Sequence, residues 1–311
     1  MNAPPQAAGD AGGRVAAAVE RCRLALLPNQ RSAFDRMAQR LELTGDSGAS
    51  YFLAARALPV TQLPTWCCAL AGRRGRGLAV DAPDQLCESA VAGYLHVRLQ
   101  DDLLDEGVGR PVEVMLLAEA LLVRHLYLLG EVAGEGAGLR QLVADRWRHY
   151  GDAMLLESQV HAGTLPCDTA TFLRLLDRSR PLVLPGAAAL AAAGLGAEMG
   201  PLDDYVGHLV DGHQRFHDLQ DAERDLREGR QTLVTRRYGD GGGAAMRRRL
   251  VLEGGFDGTV AEARTALEAA ASSAAALGLD EAVADAEGRI EAMAASQRAV
   301  FERLFRALLE K

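Results

Sequence analysis

Four carboxylates lie within seven residues, in the stretch QDDLLDE at 100–106. If the stretch is helical, Asp101 and Asp105 lie one turn apart on one face, and Asp102 lies about 100° around the helix. Neighbouring carboxylates do not stay ionised together without a counter-charge, and Mg²⁺ binds one or two carboxylates together with phosphate oxygens. The stretch therefore predicts a metal site with these three aspartates as ligands and Glu106 as supporting charge. Taken alone, the end of a solvated helix is the alternative.

A second acidic cluster lies in DGHQRFHDLQDAERDLREGR, residues 211–230. Asp218, Asp221 and Asp225 are spaced by three and four residues, which places them on one helical face, and Gln214 extends that face backwards. The alternative is a surface helix with ion pairs between residues four apart. A solvated face normally mixes its charges, however, whereas this one carries only acids for two turns. The cluster therefore predicts a second set of metal ligands.

Basic residues follow the second cluster closely, at Arg224, Arg230 and Arg237. Asp101 and Asp221 are 120 residues apart in the sequence, so the two acidic faces belong to different helices. We expect a paired site in which several Mg²⁺ ions bind a diphosphate group. Metal and arginine would then neutralise the charge of a leaving diphosphate.

The elements that must position these residues are helices. Alanine, leucine, arginine and glutamate dominate the chain, all of them favour helix, and no segment shows the alternation of a strand. We expect one all-α domain of about ten helices over residues 14–311, preceded by a disordered tail at 1–13. The segment 71–83 is expected to be an exposed loop. The last helix shows its period in these apolar residues: Ile290, Met293, Val300, Phe301, Leu304 and Leu308.

The segment DRSRPLVLPGAAALAAAG, residues 177–194, carries two prolines that predict a break in a helix. Arg178 and Arg180 stand just before the break. They are either ligands of an anion or ordinary arginines of a surface turn. The run of small residues after Pro185 either lines an apolar cavity or allows close helix packing.

Bulk properties exclude several function classes. The 311 residues carry a net charge of −8, which argues against broad nucleic-acid binding. Five cysteines without CxxC spacing argue against a zinc site or a disulfide framework. No apolar run reaches the roughly 18 residues of a membrane span, and the first residues lack the pattern of a signal peptide. A cytoplasmic location is the expectation.

The acidic motifs resemble those of a known superfamily. DDLLDE resembles the first aspartate-rich motif of the class I isoprenoid synthases, α-helical enzymes that ionise prenyl diphosphates. YFLAARALP at 51–59 resembles a segment of the squalene and phytoene synthases. In the second motif of those enzymes, asparagine usually stands where this chain has His217. The second motif of that branch is similar to the spacing of Gln214, His217, Asp221, Asp225, Gly229 and Arg230.

Two family motifs are missing. The Gly-Gly-Lys-x-x-Arg-Pro stretch of chain-elongating prenyl synthases does not occur, which puts a site for isopentenyl diphosphate in doubt. The asparagine/serine/glutamate triad of microbial terpene cyclases is also absent. The layout is similar to bacterial relatives that move a prenyl group onto another acceptor, and to noncanonical terpene synthases.

The resemblance implies a helical bundle with a central apolar cavity and Mg²⁺-dependent ionisation of an allylic prenyl diphosphate. The chain length would be C15 or C20, with three Mg²⁺ ions, and the prenyl group would pass to a second prenyl chain or another acceptor. In the family, the broken helix contacts the diphosphate, which gives Arg178 and Arg180 that role, with Gln214, Arg224 and Arg237 on the same side. Cyclisation by a terpene synthase is the alternative, although an aromatic content of 5% leans towards transfer. A helical scaffold with solvated acids is the nonenzymatic alternative, and a homodimer is one possible assembly.

Overall fold

The computed structural model describes residues 6–43, 46–54, 58–105, 110–134 and 137–309. These residues form helices, turns and coil, with no strand among them. None of the described helices is both long and apolar enough to cross a membrane. The α-helices are α1 (Gln6–Ala25), α2 (Pro28–Arg40), α3 (Asp46–Leu53), α4 (Gln62–Arg73), α5 (Ala82–Asp105), α6 (Pro111–Ala133), α7 (Ala137–His161), α8 (Thr169–Leu175), α9 (Leu184–Ala192), α10 (Met199–Glu228), α11 (Leu233–Tyr238), α12 (Gly242–Leu252), α13 (Gly255–Leu277) and α14 (Asp280–Leu309).

The helical architecture confirms the all-α prediction, and the described residues form fourteen α-helices rather than the ten expected. Helix α1 begins at Gln6, so the segment expected to be a tail is helical from that residue onwards. The expected loop at 71–83 holds the last turn of α4 and the start of α5, and residues 74–81 between them are mostly exposed. The chain divides into two compact units, and the single domain expected over residues 14–311 stays a prediction. Unit 1 comprises Met1–Asp145 and Pro181–Leu202, and unit 2 comprises Arg146–Arg180 and Asp203–Lys311.

Unit 1 is built around the pair α5 and α6, which make its most extensive helix contact. Helix α1 packs on α5, and α2 packs on α6. Val91 and Leu95 of α5, Leu121 of α6 and Phe34 of α2 are buried in one core. Each fully buried leucine or phenylalanine stabilises the fold by about 2 kcal/mol. This packing fixes the rotation of α5 and thereby the direction of its acidic end.

Helix α9 supplies the small residues of unit 1. Residues 184–190 are all buried, and α9 packs against α4, α5 and α6. A Cβ atom at Gly186 would stand 3.2 Å from Cys67 of α4 and from Leu202, which is closer than side chains normally approach. Close helix packing, rather than an open cavity, is therefore the role of this run within unit 1.

The predicted helix break is confirmed. A 3₁₀-helix at Leu176–Val183 contains Pro181, and Pro185 lies in the first turn of α9. Proline lacks the N–H that an α-helix needs and clashes with the preceding turn, so the helical path changes at this segment. Arg178 and Arg180 lie on the 3₁₀-helix.

Unit 2 is built around α13 and α14, which pack along each other, with α12 against both. Met293, Val300 and Leu304 of α14 are buried, as the period of the last helix predicts. A Cβ atom at Gly212 of α10 would stand 2.8 Å from the carbonyl oxygen of Ala263. Glycine thus lets α10 approach α13 closely, and this contact sets the rotation of the helix that carries the second acidic cluster.

Candidate active site

The first acidic cluster lies at the C-terminal end of α5. Asp101 is partly buried, and Asp102 is only 1% exposed. Asp105 is the last residue of the helix; its side chain and Glu106 lie outside the described residues. The helical prediction for this stretch is therefore confirmed up to Asp105, while the metal ligands remain a prediction.

Asp102 is neutralised by arginine. Its carboxylate forms an ion pair with Arg40 at the end of α2, and another with Arg98 one turn earlier on α5 at 2.9 Å. Both arginines are more than one third exposed, so they bring charge from the surface to a buried acid. The arrangement ties the acidic end of α5 to α2. The metal-ligand role expected for Asp102 stays a prediction beside these two ion pairs.

The second acidic cluster lies in the last three turns of α10. Gly229 follows this helix in the left-handed conformation, with φ of +71°, and the N–H of Arg230 donates to the carbonyl of Asp225 at 2.7 Å. Glycine adopts this conformation without steric cost, which is why it commonly follows helix ends. Asp218 and Asp225 are buried, and Asp221 is about one quarter exposed.

A small pocket of about 60 Å³ in unit 2 brings several of the predicted residues together. Arg178 of the 3₁₀-helix pairs with Glu157 of α7 and donates to Oε1 of Gln214 at 3.3 Å. Gln214 in turn donates to Oδ1 of Asp218 at 2.6 Å. The result is a continuous polar chain from a carboxylate through a guanidinium and an amide to a second carboxylate.

Asp218 is a much weaker acid in this pocket than an aspartate in water. Burial raises the pKa of its carboxyl to about 7, although Gln214 and Arg178 favour the ionised form and oppose the shift. The negative charge of Asp225 adds to the increase. A group of this kind changes charge near neutral pH, and a nearby cation would hold it ionised.

Asp221 and Asp225 lie one turn apart and repel each other. Burial and the charge of Asp221 raise the pKa of Asp225. Arg224 compensates in part, at 2.6 Å from Asp221 and 3.8 Å from Asp225, and the His217 ring lies 3.4 Å from Asp221. Arg230 and His217 also favour the ionised form of Asp225, yet the pKa of this carboxyl is still raised, so an added cation would stabilise the ionised pair.

The remaining predicted arginines point to other partners. Arg180 pairs with Asp203, which also binds Arg146 at 2.6 Å. A Cβ atom at Gly207 would overlap the guanidinium of Arg180, so glycine at this position leaves room for the pair. Arg230 pairs with Glu228 at 3.1 Å. Arg237 pairs with Glu262 at 2.8 Å.

The donor set can be tested for a metal. In the described ranges, no three His, Cys, Asp or Glu side chains stand together as a ready metal cluster. Mg²⁺ does not need such a cage, because it usually binds one or two protein carboxylates and takes its other ligands from substrate phosphates and water. Asp221 and Asp225 fit that requirement. Their carboxylates lie on one helical face, both are close to Arg224, and the pKa of Asp225 is raised. The residues therefore fit a metal that arrives with a phosphorylated ligand.

Several partners of the site were not predicted from the sequence. Asp203 and Glu262 are the acids that hold Arg180 and Arg237, and Glu157 holds Arg178. Each lies more than 20 residues from its arginine, so no spacing rule connects them. By contrast, Arg98 and Asp102 are four residues apart on one helix, and this spacing could have predicted their ion pair from the sequence.

Comparisons with known proteins bear on the fold. No protein-family model and no curated protein sequence matches the chain. Among solved structures, a decaprenyl diphosphate synthase from Rhodobacter capsulatus is similar with a TM-score of 0.66 and 16% identity, over 93% of this chain and 99% of that one. A geranylgeranyl pyrophosphate synthetase from the archaeon Geoglobus acetivorans gives a TM-score of 0.68 and 15% identity, over 91% and 97%. This protein therefore has the all-α fold of these two prenyl diphosphate synthases.

Proposed function

We propose that this protein is a prenyl transferase of isoprenoid biosynthesis that ionises an allylic prenyl diphosphate with the help of Mg²⁺. The observation that carries the proposal is the acidic face of α10. Asp221 and Asp225 lie one turn apart there, their charges repel, and a bound cation would stabilise both. The similar solved structures are named as synthases of prenyl diphosphates, which supports the same substrate class here. A C15 or C20 diphosphate is the proposed donor.

Asp101 and Asp105 of α5 and Asp221 and Asp225 of α10 are the proposed metal ligands, with Asp218 in support. When bound, three Mg²⁺ ions would neutralise the diphosphate and make it a better leaving group. Asp102 is proposed to position the end of α5 through its two arginines. In this proposal Asp102 positions α5 and does not bind the metal itself.

Arg224 and Arg230 are the proposed diphosphate ligands on the protein side. Both are about half exposed; Arg224 pairs with Asp221 and Arg230 pairs with Glu228 at the end of α10. Arg178 is proposed to position Gln214 and Asp218 through the polar chain in their pocket. Arg180 and Arg237 are engaged by Asp203 and Glu262, so their part is proposed to be structural. The prenyl group would pass to a second prenyl chain or another acceptor.

A product assay tests the proposal. The protein would be incubated with Mg²⁺ and with C10, C15 and C20 prenyl diphosphates, singly and in pairs, and the organic-soluble products identified by mass spectrometry. A product that requires two substrates supports prenyl transfer. A hydrocarbon made from one substrate would replace transfer with cyclisation, and no diphosphate release from any substrate would contradict both.

A variant pair tests the assignment of the metal ligands. We expect Asp221→Ala to lower kcat/KM for diphosphate release by at least about 100-fold, because stabilisation of the leaving group is typically worth that much. Asp204→Ala is the matched control, since Asp204 is an exposed aspartate of the same helix and should leave the rate unchanged. Equal rates for the two variants would show that Asp221 is not a ligand.

A further inference from the structure

A buried ion cluster joins three helices of unit 2. Asp203 of α10 accepts hydrogen bonds on one carboxylate oxygen, Oδ2, from Arg146 of α7 and from Arg180 of the 3₁₀-helix, and the distance from Arg146 is 2.6 Å. All three side chains are less than one fifth exposed. We call these three residues the Asp203 cluster.

The Asp203 cluster lies at the ends of the two chain segments that form unit 2. Arg146 and Arg180 are the first and last residues of one segment, and Asp203 is the first residue of the other. Each residue belongs to a different helix. One carboxylate therefore holds three helices with respect to one another.

The same three helices supply the polar chain of the candidate site. Glu157 lies eleven residues after Arg146 on α7, and Gln214 lies eleven residues after Asp203 on α10. Eleven residues make about three turns and about 16 Å, which returns a side chain to the same helical face. The cluster and the polar chain therefore connect the same faces of α7 and α10 at two heights.

The 3₁₀-helix takes part in both connections through arginines only two residues apart. Arg178 pairs with Glu157 at the candidate site, and Arg180 pairs with Asp203. Pro181 follows at once, and proline does not continue the hydrogen bonds of an α-helix. The side chain of Arg180 therefore supplies an orientation that a regular helix would otherwise have given to this segment.

The Asp203 cluster is poorly suited to stabilise the fold. Nε of Arg146, Nε of Arg180 and Oδ1 of Asp203 have no hydrogen-bond partner within the described part of the chain, and the three side chains together carry one positive charge in excess. Buried polar atoms without partners cost free energy, and apolar replacements of a buried ion cluster are often neutral or stabilising. The orientation that the cluster imposes explains it better than stability does.

We infer that the Asp203 cluster is a positioning device: it holds the 3₁₀-helix so that Arg178 meets Glu157 and Gln214 at the candidate site. The cluster lies about three helical turns from the polar chain, so it acts through the 3₁₀-helix and not on the substrate. Its role in the reaction rests on the proposed function, whereas its role in holding the 3₁₀-helix does not.

Hydrogen exchange of the ligand-free, full-length protein tests this anchor. Gly207→Ala places a Cβ atom 1.8 Å from Nη1 of Arg180 and so displaces the guanidinium from Asp203 without removing a charge. We expect the backbone amides of residues 176–183 to exchange at least about fivefold faster in this variant, without a fall in Tm. Gly151→Ala is the matched control, because Gly151 lies inside α7 with open space around it, and it should leave this exchange unchanged.

A double variant shows whether the effect passes through Arg180. Arg180→Met alone should also raise the exchange of residues 176–183, and adding Gly207→Ala should cause no further change, since the clashing guanidinium is gone. A further increase in the double variant, or equal exchange in Gly207→Ala and Gly151→Ala, would overturn the inference. Faster exchange over all of unit 2 with a matching fall in Tm would also contradict it, because that pattern reports lost stability and not lost orientation.

Diphosphate release measures the consequence for the candidate site. With Mg²⁺ and a prenyl diphosphate, Gly207→Ala should lower kcat/KM at least about tenfold, because small misplacements of a site carry large rate penalties, and Gly151→Ala should not change it. Faster exchange of residues 176–183 with an unchanged kcat/KM would exclude a positioning role in the reaction. If the unaltered protein releases no diphosphate, the proposed function fails, and the exchange rates still decide whether the cluster holds the 3₁₀-helix.

Discussion

At the residue scale, two consecutive aspartates of α5 have different surroundings. Asp102 is buried and shared between two arginines, whereas Asp101 is partly buried at the same helix end. A buried carboxylate that loses its charge leaves its arginine partners without their acceptor. We therefore expect Asp102 to act through stability and Asp101 to act through activity.

Replacing Asp102 tests that division. Asp102→Asn should lower the free energy of unfolding by roughly 2 kcal/mol, because hydrogen bonds to charged groups contribute about that amount. Urea denaturation measures the effect. Asp101→Asn serves as the control and should change stability by less than about 0.5 kcal/mol. The same large loss in both variants would contradict the distinction.

At the element scale, the contact of α5 with α6 depends on a glycine and a histidine. His125 of α6 is fully buried, and its ring nitrogen Nδ1 lies 2.9 Å from both the hydroxyl and the carbonyl oxygen of Ser89 on α5. A Cβ atom at Gly93 would stand 2.8 Å from the same nitrogen. The two helices can therefore approach at this point only if residue 93 has no side chain.

Replacing Gly93 and, as a control, Gly130 by alanine distinguishes the effect of packing on stability from that of helix propensity. We expect Gly93→Ala to destabilise the protein by about 1–3 kcal/mol, as overpacking does. Gly130→Ala, on an exposed position of α6 with open space around it, should instead stabilise by up to about 1 kcal/mol, since alanine favours helix over glycine. Thermal melting of both variants gives the comparison, and a neutral Gly93→Ala would show that the helices can move apart.

The same histidine makes the stability of unit 1 dependent on pH. Burial lowers the pKa of His125 from 6.5 to about 4. The folded protein therefore binds a proton less readily than the unfolded chain. The contribution of the neutral ring is complete above pH 6.5 and is lost as pH falls from 6.5 towards 4, by roughly 3 kcal/mol in total.

Urea denaturation between pH 7.5 and pH 4.5 measures this loss. His125→Gln should show a smaller decrease over that range, whatever its stability at pH 7.5, because it has no titrating group at this position. His161→Gln, at an exposed position, is the control and should retain the full decrease. Parallel curves for His125→Gln and the unaltered protein would exclude His125 as the source.

At the scale of the whole molecule, the acidic face of α10 should couple stability to its ligands. Asp218 and Asp225 are buried with raised pKa values, so their ionised forms oppose folding unless a cation compensates. A metal that binds only the folded protein stabilises it by an amount set by its concentration and dissociation constant. Under the proposed function, a prenyl diphosphate is the ligand that should accompany the metal.

We expect Mg²⁺ together with a nonhydrolysable prenyl diphosphate to raise Tm by several degrees. A ligand at 100 times its dissociation constant contributes about 2.7 kcal/mol, and each kcal/mol shifts Tm by about 2–4 °C in a chain of this size. Asp221→Ala should lose most of the shift. An unchanged Tm at saturating Mg²⁺ and ligand would favour a helical scaffold with solvated acids.

The sequence by itself determined the helical class, the break at Pro181 and Pro185, and the helical character of the two acidic stretches. These features depend on residues close together in the chain: the propensity of alanine and leucine, Pro181 and Pro185 at the break, and aspartates three or four residues apart. Such local signals act before any tertiary contact forms. The all-α fold and the apolar face of α14 followed from them directly.

Only the tertiary structure decided which charges neutralise one another. Arg40 reaches Asp102 from another helix, and Arg180 and Arg237 reach acids more than 20 residues away. The same packing pairs Arg36 of α2 with Glu113 of α6. The reason is physical: an ion pair or a cavity depends on the rotation and approach of whole helices, and these are set by side chains that are distant in the sequence.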